Sequence, residues 1–268
     1  MAVASERNGR AVGKLYAAKG HVVYRLRKAA RRNQHRSPPM PIHLAVTCLC
    51  SLAVVVLAPA PVRAQDTGPA GAAGAPLNVE LVGNRFAPLE WAEMTEAQKA
   101  MTRHVLDGPR TAMAGPFNVM LRSPVMGDYA QELGAQVRFN SSLPPPLREM
   151  AILMVTRHWT SHFEWNAHKR AALAEGLDPA IVAAIAAGRQ PAAMQPGESA
   201  LYRFCAELLE TKRVGDATFA AAVAAFGEQG VVEIVYTLGY YGLVAMLLNV
   251  DEHPLPEGVE PELEPLAN

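Results

Sequence analysis

From residue 95 to residue 249 the chain reads as helix after helix, with almost no period-two alternation of apolar and polar side chains. A strand buried on one face needs that alternation, so the pattern leaves an all-α domain with short connections. The punctuation agrees. "TEAQKAMTRHVL" opens with the capping box Thr95–Gln98. Ser123 stands as N-cap before Pro124 at the first helical position of "SPVMGDYAQELGAQVRF". "PPLREMAILMVTRHW" carries Leu147, Met150, Ile152, Leu153 and Val155 around much of its circumference, which predicts a buried helix with Trp159 in the core. The next helix follows Ser161, places Trp165 inside and ends at Gly176; Asp178-Pro179 starts another that stops at Gly188. Leu201, Phe204, Cys205, Leu208 and Leu209 share one helical spacing, and Asp216 is expected to cap "ATFAAAVAAF". The last helix, 231–249, is apolar on all sides and interrupted by Gly239 and Gly242. It is more apolar than a lone small domain needs, so a homo-oligomer is expected.

Charge divides the 268 residues unevenly. Residues 1–39 hold ten basic side chains against the single acid Glu6, whereas from Gln65 onward 14 Lys/Arg face 24 Asp/Glu. The acidic body has no basic stripe for a polyanion, which argues against nucleic-acid binding. The N-terminal part reads as four stretches: a basic extension over 1–39 with Met40 as the expected initiator, a secretory signal over 40–64, a Gly/Ala/Pro-rich linker over 65–78, and the helical domain from 79 to 268. In the signal an apolar run, 44–58, is closed by Pro59 and Pro61 and followed by Val62-Arg63-Ala64. The run is shorter than a membrane span requires. The expected product is periplasmic or secreted, with no membrane attachment after cleavage. Cys48 and Cys50 lie in the signal, so Cys205 alone remains and is expected to be a buried, inert thiol. The tail from about 251 is rich in Pro and Glu and cannot continue a helix.

One stretch concentrates chemistry: "REMAILMVTRHWTSHFEWNAHKRAALAEG", with His158, His162 and His168 among its polar residues. Read as scaffold, Ser161 and Glu164 form a capping box and His158 sits at the negative end of its helix. Read as a site, Glu164 and His168 are four apart on one helix face, Ser161 is one turn before, and Glu149 folds back from the preceding helix. A carboxylate beside an imidazole is an acid–base pair whose histidine pKa rises toward or above neutrality. A metal reading would use Glu164, His168 and either His162 or His158, but His158 and His162 are separated by an expected helix break. No metal site is therefore expected. There is no phosphate loop, zinc pattern or Gly-x-Ser-x-Gly elbow.

From about residue 76 to 256 the chain resembles the carboxymuconolactone decarboxylase family of the alkylhydroperoxidase D-like superfamily. The matching pieces are "GPFNVMLRSPVMGDYAQELGAQVRF", "LREMAILMVTRHWTSHFEWNAHKRAALAEGL" and "VVEIVYTLGYYGLVAMLLNV". The resemblance implies an all-α bundle assembled as trimers or hexamers. The superfamily's peroxidase branch has a Glu, a Cys-x-x-Cys and a His; here Glu149 and His168 match the Glu and His, while Ser161 and Glu164 stand where the cysteines would be. Neither supports thiol–disulfide exchange. The decarboxylase branch keeps Glu and His without the cysteines and works without a cofactor on a carboxylated lactone. It implies Glu149 and His168 as catalytic residues acting on a small-molecule substrate, and the reading of the residues adds Glu164 beside His168. Ser161 and His162 would line the substrate site, with Arg148 or Arg157 holding the substrate carboxylate. A peroxidase-like antioxidant protein and a silent ligand-binding oligomer are the alternatives.

Overall fold

The computed structural model describes residues 79–110 and 112–266; the expected extension, signal and linker lie outside them. Among the described residues there are helices and no strands. After a 3-10 turn at Trp91–Glu93 come α1 (Glu96–Asp107), α2 (Phe117–Met120), α3 (Pro124–Phe139), α4 (Pro145–His158), α5 (His162–Ala174), α6 (Pro179–Ala186), α7 (Pro196–Thr211) and α8 (Asp216–Asp251). The all-α expectation holds.

α4 is the central element. It packs against α5, α6, α7 and α8, and every residue from Glu149 to Arg157 is buried. Met150, Ile152, Leu153 and Val155 join Trp165 of α5, Leu201 and Phe204 of α7, and Ile234 and Leu248 of α8 in the core. A helix buried on all sides needs apolar residues on all sides, which is why its sequence shows no polar stripe. Cys205 lies fully buried in the same core, and desolvation pushes its thiol pKa far up, so it is inert as expected.

Several caps form where the sequence places them. The Thr95–Gln98 box is made in both directions. Asp178 accepts from the Ala180 amide at 2.8 Å, with Pro179 at the first helical position. Gly176 (φ 89°) and Gly188 (φ 64°) adopt the left-handed backbone that ends their helices. Ser123 occupies the N-cap position without a side-chain bond.

Three expectations need correction. Asp216 is the first helical residue of α8 and Gly215 is the N-cap. The break in α8 falls at Gly227 (φ 69°, ψ 174°), and the helix runs unbroken through Gly239 and Gly242. A glycine costs a helix only about 1 kcal/mol, and buried neighbours such as Leu238, Tyr240, Tyr241 and Val244 outweigh that here. Trp159, expected in the core, is 39% exposed because it lies at the corner beyond α4.

Polar ties fix the periphery. Glu233 of α8 accepts from the Ser142 amide (2.7 Å) and from the hydroxyls of Ser141 and Ser142, holding the α3–α4 connection. Asp251, at the end of α8, accepts from the amides of Asn84 (3.2 Å) and Phe86 (2.8 Å) and so anchors the chain before α1. The tail leaves the helical path at Glu252 (φ 50°) and returns over α5, with Leu263 buried and Glu262 paired to Lys169 and Trp165 Nε1.

Candidate active site

The corner between α4 and α5 decides the local geometry. Thr160 takes φ 47°. Its amide bonds to the Arg157 carbonyl (3.0 Å), and the Ser161 amide bonds to the Thr156 carbonyl (2.9 Å). This is the Schellman pattern, built on a threonine instead of the usual glycine. It consumes the Ser161 N–H that a capping box would have offered to Glu164. The Ser161–Glu164 box expected from the spacing is accordingly absent: Ser161 is the N-cap residue with no side-chain bond.

Glu164 is thereby left to face His168, one turn on. His168 Nε2 lies 3.4 Å from Glu164 Oε2, a loose ion pair, and that oxygen has no hydrogen-bond partner. On the other side of the ring, His168 Nδ1–H donates to Glu149 Oε2 at 2.7 Å across the α4–α5 contact. All three residues are nearly inaccessible, at 3 to 4% exposure. Burial works to lower the His168 pKa, but pairing with Glu149 and with Glu164 outweighs it and raises the pKa to about 9. At neutral pH His168 is therefore an imidazolium. Its Nδ1 proton is held firmly and its Nε2 proton loosely. Tyr241 packs edge-on against the ring, centroids 4.7 Å apart.

Glu164 and His168 line a cavity of about 250 Å³. Phe117, Phe163, Tyr240 and Tyr241 give it apolar walls, and Arg110, Arg138 and Arg170 add three guanidinium groups. Arg110 Nε is buried without a partner. No carboxylate lies within ion-pair distance of these three arginines among the described residues.

Residues 124–207 match the sequence model of the carboxymuconolactone decarboxylase family. The matched segment, 84 of the chain's 268 residues, is similar to that family. It runs from the start of α3 into α7 and contains Glu149, Glu164 and His168. Arg110, Tyr240 and Tyr241 close the cavity from outside the matched segment. No curated protein matches the chain.

The remaining nominated residues take other places. Arg148 Nε stands 4.0 Å from Glu149 Oε1, behind the carboxylate and away from the cavity lining. Arg157 is buried on a separate cavity at the far end of α4. Ser161 is buried with its hydroxyl unpartnered, and His162 Nδ1 is likewise unpartnered; both belong to the corner and neither lines the cavity. The sequence carried no signal for Arg110 or Arg138, which lie in a loop and on α3 and meet the site only through tertiary packing. Arg170 stands two residues beyond His168, a spacing that puts it on another face of the helix, so it too carried no signal; it shares its face with Ala167 and Phe163, which line the same cavity. No group of three metal-ligating side chains is assembled among the described residues.

Proposed function

We propose that this protein is a cofactor-independent acid–base enzyme of the carboxymuconolactone decarboxylase type, exported to the periplasm or beyond and acting on a small carboxylated lactone or related organic acid. The observation that carries the reading is His168 held between two carboxylates at the wall of a cavity with three unpaired arginines. Those arginines suit a substrate with more than one anionic or strongly polar oxygen.

In the proposed step the substrate's carbon–carboxylate bond breaks and carbon dioxide leaves. The electron pair stays on the substrate as a dienolate, and the Nε2 proton of His168 passes to its carbon. Glu149 fixes the ring through Nδ1 and stabilises the imidazolium before transfer. Glu164 takes up a proton from solvent water and passes it to Nε2, replacing the one the product keeps. The arginines hold the oxygens that remain on the product and spread the charge that develops there.

The peroxidase-like reading draws less support: the one cysteine among the described residues is Cys205, buried in the core with its pKa pushed up. Assembly is part of the proposal. α8 is long and apolar enough by composition to cross a membrane, yet over half of its most apolar stretch is buried in the domain. Its outer face exposes Val232, Val235, Tyr236, Leu243, Met246 and Val250 in a helical stripe, which suits contact with further copies in a trimer or hexamer.

The test is a thermal-shift screen of carboxylated lactones and keto acids, followed by product analysis for released carbon dioxide. Stabilisation by a polycarboxylated lactone that Arg110→Ala removes is the expected result. Peroxide turnover in the Cys205→Ser variant, with no response to any carboxylated compound, would overturn the reading.

A further inference from the structure

The far end of α4 carries a second cavity, of about 210 Å³, distinct in its lining from the one at His168. Its deepest polar group is Arg157, only 5% exposed. Arg157 Nη1 donates to Thr160 Oγ1 at 3.2 Å, while its Nε is buried with no hydrogen-bond partner. Burial pulls the guanidinium pKa down, the mark of a cation without compensation. Arg189 stands on the same cavity, and neither arginine has a carboxylate within ion-pair distance among the described residues.

The charge count around the cavity is informative. Arg157 and Arg189 give two positive charges and Glu210 one negative. Burial, and then the charge of Lys212, lower the His158 pKa, against Glu210, which raises it. Apart from His158, the side chains that line the cavity are one negative charge short of neutrality, and Lys212 stands close enough to act on His158. The rest of its wall is apolar, including Met154, Ile185 and Leu209. We propose that this cavity binds a small amphipathic monocarboxylate, with the carboxylate on Arg157 and Arg189 and an aromatic or short aliphatic body against the apolar wall. A polyanion is disfavoured by Glu210, and a neutral apolar molecule leaves the buried guanidinium unpaired. The volume suits a molecule of about benzene size or slightly larger.

The experiment titrates 4-fluorobenzoate into the full chain, read by calorimetry and fluorine NMR. Arg157 also braces the Thr160 corner, so its removal risks the fold; Arg189→Ala and the cavity-filling Ala206→Leu are the informative variants. Because the arginines near His168 can also hold benzoate, each variant is repeated in an Arg110→Ala background. The expected result is a saturable site with Kd of about 1 mM or tighter, lost in Ala206→Leu and weakened by about tenfold or more in Arg189→Ala, in both backgrounds. Unchanged binding in Ala206→Leu and Arg189→Ala overturns the proposal. So does an absence of saturable binding in the unsubstituted chain; dissociation of an oligomer on Arg189→Ala would then assign the arginines to a carboxylate of a second copy. Neither outcome bears on the His168 cavity, so this proposal and the decarboxylase reading fail separately.

Discussion

Two buried carboxylate–histidine pairs lie in this domain, Glu149–His168 and Asp251–His253, and they differ in what is left over. Asp251 Oδ1 accepts from the amides of Asn84 and Phe86, and Oδ2 meets His253 Nδ1 at 3.2 Å. His253 in turn stacks edge-on against Phe163. The capacity of Asp251 is spent on backbone, and its product is a tied-down chain segment. At His168 the second ring nitrogen meets only a loose contact, Glu164 keeps an oxygen without a partner, and both face a cavity. A buried polar group left unsatisfied costs about 1–3 kcal/mol. The difference teaches that a buried ion pair by itself marks nothing; unspent hydrogen-bonding capacity at a cavity wall marks a site.

The largest effects should separate the pairs by activity. Glu164→Gln retains size and leaves few bonds to lose, so the fold should survive while turnover falls by about a hundredfold or more, the range for a lost acid–base partner. His168→Asn should lose as much activity and also melt several degrees lower, because two buried carboxylates lose their shared cation. Asp251→Asn should do the reverse, costing about 2–3 kcal/mol of stability through weakened charge-assisted bonds with kcat unchanged. Steady-state kinetics and thermal unfolding on all three variants check this; a kcat loss in Asp251→Asn equal to that in Glu164→Gln would erase the distinction.

The pairs should also part on the pH axis. His168 has its pKa raised from 6.5 to about 9 in the folded state. Its contribution to stability, on the order of 3 kcal/mol, is fully present below about pH 6.5 and is lost as pH rises through 9. Asp251 shifts the other way. Burial opposes its ionisation, but the Phe86 amide, His253 and the Asn84 amide together hold its pKa below the usual value. Its contribution is present above the unfolded carboxylate pKa and is lost as pH falls through the lower folded one. Unfolding measured against pH should therefore show an alkaline limb that His168→Asn flattens and an acid limb that Asp251→Asn flattens. Flattening of the same limb by both variants would contradict the assignments.

The comparison also explains what the sequence could disclose. Helix positions were readable because caps and glycines act locally: Thr95, Asp178, Gly176 and Gly188 perform as their chemistry dictates. Glu149 meeting His168 was readable because a short connection brings consecutive helices together. The fate of Glu164 was not, since two local rules competed for one N–H. The spacing favoured the capping box, and the winner was a Schellman turn on a threonine that few would place at positive φ. Arg110, Arg138 and Tyr240 converge from three separate elements, and no local pattern announces such a meeting.

A smaller effect probes the cavity wall without touching charge. A Cβ on Gly134 of α3 would fall 2.1 Å from Tyr240 Cζ, so the helices approach here only because the residue is glycine. Gly134→Ala should push the Tyr240 ring off its place at a cost of about 1–3 kcal/mol for overpacking. Ligand stabilisation should weaken because Tyr240 lines the His168 cavity, while the Asp251 anchor, remote in its contacts, keeps its acid limb. Ligand thermal shifts that match the wild type would show that Tyr240 is not a functional wall.

The smallest effect tests why Glu164 is free at all. Thr160 carries a β-branched side chain at φ 47°, a conformation that costs an L-residue about 1–2 kcal/mol. Asparagine tolerates this region better and keeps an oxygen to accept from Arg157 Nη1, as Thr160 Oγ1 does at 3.2 Å. Thr160→Asn should therefore stabilise the domain by about 0.5–1 kcal/mol, seen as a rise in melting temperature of a few degrees at most. Because the corner keeps its shape, the Ser161 amide stays on the Thr156 carbonyl and Glu164 stays on His168. Turnover and the alkaline limb should be unchanged. If Thr160→Asn raised stability but cut activity tenfold or more, the corner would have rearranged, with the strained threonine itself holding Glu164 away from the cap and toward the imidazole.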